Sequence, residues 1–403
     1  MRYPLLLFFG AVALSGCSSL PVTHSVPYAS VFAPKAASPP PDGGPQIRVA
    51  IAVHQNSVLL AAPEGFTLTG LSGPAPPGPE ASPVYRTITL TPGLLHAPEA
   101  FVEAQGDGQI EVNGRTFKGS LRITHDGKGL LTAINLLPLE DYVMGVLAGE
   151  IPRDWPLEAL KAQAIAARTF AVLNMQSASA KGQPYDLENT ALFQMYQGSG
   201  LVNEKIQKAV WETRGRILTY HSIPIQAFYH SNCGGKTSGA KEVWSQSIPY
   251  LRPVNCPYGN NGAHFRWRAE IPIQELVRKL RAAGCTLGDI VQLTPIELDE
   301  SNRILKLSIM DADGGIRTLK GSTFRMAVGP DIIRSTLFSA EVLQNKVVFS
   351  GKGWGHGVGL CQEGACGMAL KGFGAFDILR YYYPGVLVEN IRDLKLKGIE
   401  TAP

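Results

Sequence analysis

The carboxyl group of Glu150 stands at an unusual place in the sequence, between two predicted helices. Glu150 directly follows a short apolar helical segment, Leu139–Gly149, and Ile151-Pro152 separates it from the next helix. Because a proline restricts the residue before it, this junction should be rigid. Apolar neighbours such as Leu147 and Trp155 would disfavour the charged form and raise the pKa of the carboxyl group. These features suit a proton donor.

A solvated carboxylate at a helix end is the alternative interpretation of Glu150. An acidic group at a helix C-terminus opposes the macrodipole, so that placement is mildly unfavourable. Glu140 and Glu158 are further acidic candidates, but both fall at helix starts, where a capping or dipole role explains them.

Polar residues on the second helix and after it are candidates for binding a substrate. Gln163 and Arg168 lie on an Ala-rich helix, where buried polar groups need partners. Arg168 could hydrogen-bond sugar hydroxyls or orient Glu150, and a structural ion pair is an equal alternative. Gln194 and Tyr196, in the run 193–198, suit sugar contacts and suit ordinary packing equally well.

The run 229–237, Tyr-His-Ser-Asn-Cys-Gly-Gly-Lys-Thr, has paired glycines that permit a tight loop with exposed backbone. A hydrolase would use Ser231 as nucleophile and His230 as base. Adjacent residues of a strand point to opposite sides, so that arrangement is poor. We therefore predict that His230 and Ser231 bind substrate and that the loop supports Glu150.

Alternate glycines mark a third segment, 351–365, with the sequence Gly-Lys-Gly-Trp-Gly-His-Gly-Val-Gly-Leu-Cys-Gln-Glu-Gly-Ala. Such spacing suits a backbone that runs close to another chain element or to a ligand. It is not a phosphate loop, because the Gly-Lys-Ser/Thr ending is missing. His356 and Gln362 are its candidate substrate-binding residues.

These segments together resemble the stage II sporulation protein D family, peptidoglycan lytic transglycosylases that also include amidase enhancers. Residues 139–169 resemble the core signature, in which the catalytic acid has a Gly/Ser-Glu-Met/Ile-Pro context that matches Glu150. The His-Ser-x-x-Gly-Gly-x-Thr string at 230–237 matches the second motif. The third segment resembles the Gly-His-Gly-Val-Gly-x-x-Gln-x-Gly-Ala signature, with His356 and Gln362 in the matching places.

The resemblance implies cleavage of the bond between N-acetylmuramic acid and N-acetylglucosamine without water. Glu150 would protonate the glycosidic oxygen and then accept the proton of the muramic acid 6-hydroxyl, which closes a 1,6-anhydro ring. The implied substrate is glycan stripped of its peptide stems, and an N-acetylmuramoyl-L-alanine amidase is the implied partner. The first alternative is a non-catalytic glycan-binding protein that enhances an amidase. A zinc amidase using His230, His356 and Glu363 is a weaker alternative, because a His-Glu-x-x-His arrangement is missing.

We predict neither a cofactor nor a metal. Zinc-carrying members of the family have a Cys/His cluster ahead of the glutamine that matches Gln194, and residues 187–193 contain no Cys or His. A zinc site built from His230, Cys233, Cys256 and His264 is conceivable. A disulfide between Cys233 and Cys256 is the preferred interpretation, because export would place these thiols in an oxidising compartment.

The N-terminus predicts export and a lipid anchor. An apolar stretch too short to span a bilayer ends in Leu14-Ser15-Gly16-Cys17, which is the bacterial lipoprotein pattern, with Cys17 as the lipidated residue. An ordinary secretory signal with a chance cysteine is the alternative. Ser18 and Ser19 follow without an aspartate, so we expect the periplasmic face of the outer membrane in a diderm cell.

The elements that must position these residues predict an α+β fold. Short alternating runs and Asn113-Gly114 indicate a β-rich region packed on a helical catalytic core, with a mixed α/β second lobe inserted before the glycine-rich segment. The predicted units are a signal peptide (1–16), a Pro/Ser-rich tether (17–45), the β-rich region (46–137), the catalytic core (138–265), an α+β insertion or second lobe (266–349) and the C-terminal part of the core (350–395).

Composition indicates a globular protein rather than a disordered one, and it does not favour a nucleic-acid binder. The chain has 403 residues, of which 45% are hydrophobic and 17% charged, with a net charge of +4. This mild positive charge would favour a polyanionic cell-wall polymer only weakly. Since the basic residues do not cluster with aromatic ones, nucleic acid is not an expected partner.

Overall fold

In the described part of the chain, strands predominate ahead of the first α-helix. The computed structural model describes residues 44–71, 84–95, 98–126, 128–190, 193–396 and 398–399. The strands in this part are β1 Gln46–Gln55, β2 Val58–Thr69, β3 Val84–Leu90, β4 Glu99–Ala104, β5 Gln109–Val112, β6 Arg115–Lys118, β7 Ser120–His125 and β8 Leu131–Pro138. Alternate residues are buried in strands such as β4, where Ala100 and Val102 are buried and Phe101 between them is exposed.

Helices and shorter strands follow. After β8 come α1 Leu139–Glu150, α2 Leu157–Ala180, β9 Leu187–Glu188, α3 Glu204–Glu212, β10 Arg216–Tyr220, β11 Ile223–Pro224, β12 Tyr229–His230 and α4 Ala240–Trp244. The next elements are β13 Arg266–Pro272, α5 Ile273–Ala282, β14 Ile290–Leu298, β15 Ile304–Asp311, β16 Ile316–Lys320, α6 Gly321–Val328, β17 Phe338–Val342 and β18 Lys346–Lys352. The last are β19 Leu360–Cys361, α7 Gln362–Leu370, α8 Ala375–Tyr382 and β20 Leu387–Asn390. The fold is α+β, as predicted.

A curled sheet forms the β-rich region. Over the described residues it has nine strands, in the order β6-β5-β2-β4-β7-β8-β1-β9, with β3 paired to β2. The turn between β5 and β6 is Asn113-Gly114, with φ values of 49° and 80°. Positive φ at both central residues is what a two-residue hairpin of this type requires, so the predicted hairpin is confirmed.

Helix α2 lies between two apolar cores. One core joins the sheet to α1 and α2, and it includes Val49, Leu147 and Ala164. The opposite side of α2, with Ile165, belongs to a second core that also contains residues of β10, β19, α7 and α8. The small side chains of α2 allow both layers to approach closely, which brings α1 and α7 to opposite sides of one helix.

The second lobe has a core of its own, made of residues between Trp267 and Phe349. Two three-stranded antiparallel sheets, β13-β18-β17 and β14-β15-β16, form it together with α5 and α6. Strand β18 leads directly into the glycine-rich segment. The second lobe is therefore connected directly to the glycine-rich segment of the catalytic core.

Several elements differ from the sequence prediction. Two short runs, Val58–Leu60 and Phe66–Thr69, predict separate strands, but β2 is one strand. Its pairing with β3 is interrupted between Ala61 and Phe66, and this irregularity accommodates the Pro and Gly at 63–65. The sequence also predicts a strand at Ile225–Tyr229, but only Tyr229 of this run belongs to a strand. Helix α7 is not predicted, since Gly364 and Gly367 weaken its helical propensity.

Some predictions concern residues outside the described ranges. They are the signal peptide 1–16, the lipidation site Cys17 and all but the end of the tether 17–45. Among the residues that the structure describes, none of the helices combines the length and the apolar character needed to cross a bilayer.

Candidate active site

Glu150 is the last residue of α1, and protein groups hold its carboxyl group. The helix ends there because Ile151, which precedes Pro152, has an extended backbone with φ −137° and ψ 155°. The amide N–H of Met195 donates a hydrogen bond to Oε1 of Glu150 at 2.8 Å, and the hydroxyl of Tyr229 donates to the same oxygen at 3.3 Å. The side-chain amide of Gln362 is a third partner. These bonds fix the carboxyl group in one position.

The pKa of Glu150 is raised above the ordinary value, as the sequence predicts. Burial is the largest cause, because protein atoms crowd the carboxyl group even though part of the residue's surface stays open to solvent. The hydrogen bonds from Met195, Tyr229 and Gln362 lower the pKa, because they stabilise the charged form. Burial is the stronger effect, so Glu150 keeps its proton to a higher pH than a solvated glutamate.

Two glycines of α1 let the segment Gln194–Gly198 lie against this helix. A Cβ at Gly145 would lie 2.5 Å from the ring of Tyr196. A Cβ at Gly149 would lie 2.7 Å from Cγ of Gln197 and would collide with the carbonyl oxygen of Met195. Because glycine has no side chain at these positions, the backbone of Met195 can lie within hydrogen-bonding distance of Glu150.

Gly149→Ala is expected to lower the free energy of unfolding by about 1–3 kcal/mol, as overpacking of a filled site does. It should also reduce the glycan cleavage that the family resemblance implies, because the amide of Met195 would move away from Glu150. Denaturant unfolding and an activity assay check this. Gly200→Ala is the control, because the nearest atom to its Cβ would be 3.9 Å away, an ordinary contact. Equal effects from the two substitutions would contradict the prediction.

A chain of side-chain hydrogen bonds connects Glu150 to the interior. The hydroxyl of Tyr142 donates to Oε1 of Gln194 at 2.9 Å, and Nε2 of Gln194 is 3.0 Å from the hydroxyl of Tyr229. Nε2 of Gln194 also donates to the carbonyl of Ala167 at 3.3 Å. Burial raises the pKa of Tyr142 and of Tyr229 well above the ordinary value, so both remain protonated donors. Gln194 therefore orients the tyrosine that contacts Glu150.

Tyr229→Phe is expected to raise the pKa of Glu150 further. The hydroxyl donates to the carboxylate and stabilises its charged form, so its removal favours the protonated form. Carbon-13 NMR titration of the glutamate carboxyl groups measures this shift. Tyr185→Phe is the matched control, because Tyr185 donates to a different glutamate, Glu188, at 2.7 Å. An unchanged or lower pKa of Glu150 in Tyr229→Phe would count against the assigned hydrogen bond.

Gln163 and Gln362 meet beside Glu150. Nε2 of Gln362 donates to Oε1 of Gln163 at 3.5 Å, and the two residues are 2% and 4% exposed. Among the described residues, Nε2 of Gln163 has no hydrogen-bond partner. The pair thus supports the carboxyl group of Glu150 from the α7 side.

Arg168 and Tyr196 have structural contacts. The guanidinium of Arg168 is fully buried and pairs with Glu140, with Nη2–Oε2 at 2.6 Å and Nε–Oε1 at 3.0 Å. Of the two interpretations that the sequence leaves open for Arg168, the structure shows the ion pair. Tyr196 is 1% exposed, and its hydroxyl donates to Oδ1 of Asn135 at 2.9 Å. A role in binding sugar for these two residues is not favoured by their burial.

His230 and His356 lie side by side, with ring centres 5.5 Å apart. Nδ1 of His230 is 3.1 Å from the carbonyl oxygen of Val358, and the amide of Val358 donates to Nδ1 of His356 at 3.0 Å. Burial lowers the pKa of His230 well below the ordinary value and that of His356 to about 4, so both rings are neutral at pH 7. The backbone carbonyl of Ser231 accepts from the amide of Glu363. A substrate-binding role for these residues stays a prediction.

The alternate glycines lie close to another chain element. A Cβ at Gly353 would be 2.6 Å from the carbonyl oxygen of Asn232, one at Gly355 would be 2.7 Å from Cβ of His230, and one at Gly359 would collide with the carbonyl oxygen of Phe228. All three glycines also have positive φ. From the sequence, either a chain element or a ligand could lie against these glycines. In the structure the strand and loop at 228–234 lie there.

Side chains that can ligate a metal lie close together beside the paired strands β12 and β19. Within the described ranges, the His/Cys/Asp/Glu group with ligand atoms mutually within 4.8 Å consists of His230, Cys233 and Cys361. Cys233 and Cys256 are thiols in side-chain contact, so a disulfide between them stays a prediction. Glu363 instead accepts from Nδ2 of Asn232 at 2.6 Å and from the amide of His264 at 3.1 Å, an arrangement different from that of a zinc amidase.

An open cleft of about 620 Å³ lies on the lobe side of the glycine loop. Its lining includes Gly235, Lys236, Arg266 and Lys352, but not Glu150. The cleft is therefore separate from the carboxyl group to which the sequence assigns the chemistry.

Besides Gln362, two groups contact Glu150 that the sequence did not predict: the backbone of Met195 and the side chain of Tyr229. Met195 contributes its backbone, which leaves no signature in side-chain identity. Tyr229 had a usable signal: it precedes His230 on a strand, so its side chain must point to the opposite side from the imidazole. In the structure Tyr229 reaches Glu150 while His230 faces the thiols.

Comparison with known proteins supplies two family matches. A model described as "Stage II sporulation protein" matches residues 127–220, which contain Glu150 and Gln194. A second, described as a domain of unknown function (DUF8618), matches residues 254–359.

Individual relatives agree with the first match. The chain is 34% identical over 289 residues to an uncharacterized protein of Brachyspira hyodysenteriae, covering 72% of this chain and 76% of that protein. It is 34% identical over 270 residues to the stage II sporulation protein D of Bacillus amyloliquefaciens, covering 63% of this chain and 75% of that protein. The amidase enhancer of Bacillus subtilis is 28% identical over 342 residues, which span 70% of this chain and 47% of the enhancer. The chain belongs to the stage II sporulation protein D family.

Proposed function

We propose that the chain is a lytic transglycosylase that cleaves the peptidoglycan bond between N-acetylmuramic acid and N-acetylglucosamine. The observation that carries this proposal is the raised pKa of Glu150, which burial causes at a position where part of the residue still meets solvent. A carboxyl group whose pKa is raised keeps its proton to a higher pH than a free glutamate and can donate it to a leaving oxygen. Family membership supports a glycan-cleaving role.

The proposed reaction needs one carboxyl group. Glu150 donates its proton to the glycosidic oxygen while the bond from that oxygen to muramic acid C1 breaks. The resulting carboxylate accepts the proton of the 6-hydroxyl of the same ring, and O6 forms a new bond to C1. The products are a free hydroxyl on the N-acetylglucosamine side and a 1,6-anhydro ring, and Glu150 ends protonated as it began.

The surroundings of Glu150 support a mechanism with a single carboxyl group. Its described hydrogen-bond partners are an amide N–H, a phenol and a side-chain amide. The buried glutamates Glu140 and Glu363 are held by Arg168 and by Asn232, respectively. Hydrolytic glycosidases mostly use two carboxyl groups that flank the bond. In the proposed reaction the substrate's own 6-hydroxyl is the nucleophile, so a second carboxyl group is not needed.

Mass spectrometry of the products tests the reaction type. Glycan strands stripped of peptide stems, our proposed substrate, are incubated with the protein, and intact peptidoglycan is run in parallel. New 1,6-anhydro ends, one water lighter than reducing ends, would support the proposal. Reducing ends would show hydrolysis and contradict it.

A non-catalytic role as an amidase enhancer is the second candidate, favoured by the relative of that name. In this role the chain would bind glycan and increase the activity of an N-acetylmuramoyl-L-alanine amidase. Glycan pull-down without new ends, together with faster amidase action in a mixture of the two proteins, would support this candidate over the first.

We further propose that the chain is exported and anchored by lipid on Cys17, at the periplasmic face of the outer membrane in a diderm cell. The support is the sequence Leu14-Ser15-Gly16-Cys17 and the absence of an aspartate after it. Cys17→Ala is expected to move the protein from the membrane fraction to the soluble fraction, since two or three acyl chains supply the anchoring. Unchanged membrane fractionation would contradict the proposed anchor.

A further inference from the structure

Three thiols and one imidazole form a buried group beside strands β12 and β19. Strands β12 and β19 pair in parallel, which places His230 opposite Cys361. Cys233 follows β12 after two residues, and Cys256 comes from the loop that precedes the second lobe. His230, Cys233, Cys256 and Cys361 are at most 4% exposed. Three chain segments, which contribute His230 and Cys233, Cys256, and Cys361, thus bring their ligand atoms close together.

The contacts within this group join all four residues. One ring nitrogen of His230 and the sulfurs of Cys233 and Cys361 lie within 4.8 Å of one another. The thiol of Cys256 hydrogen-bonds to both of these sulfurs, and it is 3.0 Å from the hydroxyl of Tyr382. We propose that His230, Cys233, Cys256 and Cys361 bind a structural zinc ion. Three sulfur ligands and one nitrogen ligand form a common tetrahedral zinc site.

The imidazole of His230 has the hydrogen bond that such a ligand needs. Its Nδ1 faces the carbonyl oxygen of Val358 at 3.1 Å, so this nitrogen carries the proton as the donor. Within the described residues, its Nε2 is buried and has no hydrogen-bond partner. A ring that donates from one nitrogen to a backbone carbonyl presents the lone pair of the other nitrogen to a metal.

Backbone N–H groups point at the sulfurs, as they do around metal-bound thiolates. The amide of Cys233 donates to Sγ of Cys361 at 3.3 Å, and the amide of Gly364 donates to the same sulfur at 3.3 Å. The amide of Gly235 donates to Sγ of Cys233 at 3.4 Å. Gly364 also makes room for the group, because a Cβ there would lie 2.7 Å from Sγ of Cys256.

A buried cation, Arg303, lies beside the group, and the site would add negative charge to that of Asp299, which also interacts with it. The guanidinium of Arg303 is 1% exposed, and its Nη2 donates to the carbonyl of Cys233 at 2.6 Å. Its Nε and Nη1 have no hydrogen-bond partner among the described residues. Zn²⁺ with three thiolates and a neutral imidazole has a net charge of −1, which would offset the charge of Arg303 in the low-dielectric interior.

A disulfide between Cys233 and Cys256, which the sequence favours, satisfies these groups less completely. That bond would leave the thiol of Cys361 and Nε2 of His230 buried without a shared partner. It would also leave Arg303 without a thiolate nearby. Zinc satisfies all four ligands at once, with release of the thiol protons on binding.

The position of the site gives the ion a role in shaping the active site. His230 follows Tyr229 and Cys361 precedes Gln362, and both of these neighbours are hydrogen-bond partners of Glu150. An ion that ties β12 to β19 would therefore hold the two side chains in register on the opposite side of the strand pair.

Metal analysis of the purified full chain tests the proposal. We expect about one zinc ion per chain, and a thiolate-to-cobalt charge-transfer band when zinc is replaced by Co²⁺. Cys256→Ser and Cys361→Ser should each lose the ion. Cys285→Ser should keep it, because Cys285 is a buried cysteine of the second lobe, outside the group.

Two results would overturn the proposal. One is wild-type protein without bound metal after Zn²⁺ is added, whose intact mass and peptide map show a disulfide between Cys233 and Cys256. The other is equal zinc content in the wild type, Cys361→Ser and Cys285→Ser. The Co²⁺ spectrum is recorded on wild-type protein, so the test stands even where a serine variant fails to fold.

Discussion

Glu150→Gln is expected to lower the rate of glycan cleavage by about 10²–10⁴-fold, the range typical of losing a general acid or base. Glutamine retains the size and hydrogen-bonding capacity of the side chain but cannot release a proton. In the proposed reaction the same carboxyl group acts twice, so both the departure of the sugar and the closure of the anhydro ring should suffer. The rate is measured as anhydro ends formed per unit time on stripped glycan.

A matched control separates the chemistry of Glu150 from a general effect of removing a charge. Glu212→Gln makes the same replacement at a carboxylate that pairs with Lys161 and Lys208 near the surface, and it should cleave at the wild-type rate. Wild-type cleavage by Glu150→Gln would contradict the assignment.

Reduced folding should not explain the loss of activity in Glu150→Gln. The folded-state pKa of Glu150 is raised from 4.5, so the folded chain binds this proton more tightly than the unfolded chain. The free energy of unfolding of the wild type therefore falls, relative to the variant, as pH rises from the unfolded pKa through the folded one. At neutral pH the variant should be at least as stable as the wild type, which denaturant unfolding checks.

Arg168→Met is expected to lower the free energy of unfolding by about 3–5 kcal/mol, because it leaves the carboxylate of Glu140 buried without its cation. The side chains of Arg168 and Glu140 are 0% and 12% exposed, so solvent cannot replace the lost partner. The guanidinium also donates to the backbone carbonyls of Arg216 and Val210, which ties α2 to α3 and β10. Urea unfolding measures the change.

Two further variants test the reason for that loss. Arg268→Met breaks a pair with Glu270 whose side chains are 68% and 43% exposed, and it should change stability by less than about 1 kcal/mol. Arg168→Met combined with Glu140→Gln should recover part of the stability, because the orphaned charge is removed. A loss in the double variant equal to or larger than that in Arg168→Met would show that an unpaired carboxylate is not the cause.

The sequence predicts local elements better than it predicts how they are joined. Apolar periodicity that begins at Leu139 predicts α1, and Pro156 predicts the start of the second helix. Helices α1 and α2 begin within one residue of these positions, because both signals are local. β2 and α7 depend on distant partners. The pairing of β2 with β3 tolerates an irregularity at Pro63, and α7 is stabilised by the second core despite its glycines.

The candidate site shows the same division. The position of Glu150 could be predicted because a proline and an apolar run are adjacent to it in sequence. The contacts of the polar residues on α2 could not be predicted, because their partners come from far along the chain. These partners are Glu140 for Arg168 and Gln362 for Gln163. Sequence alone does not tell whether such a side chain faces a bound sugar or a buried partner.

The cysteines illustrate a different limit. The expected oxidising compartment favours a disulfide between Cys233 and Cys256, but the sequence does not group Cys361 with them, since it lies 128 residues after Cys233. The parallel pairing of β12 with β19 places it there. The choice between a disulfide and a metal thus depends on a contact that only the tertiary structure supplies.

The central claim of this account is that the fold keeps Glu150 protonated beyond the pH at which a free glutamate ionises. Titration of the selectively labelled carboxyl carbon by NMR, with Glu150→Gln to assign the resonance, measures this pKa directly. The account predicts a value clearly above the ordinary 4.5 in the wild type. A value at or below 4.5 would contradict it.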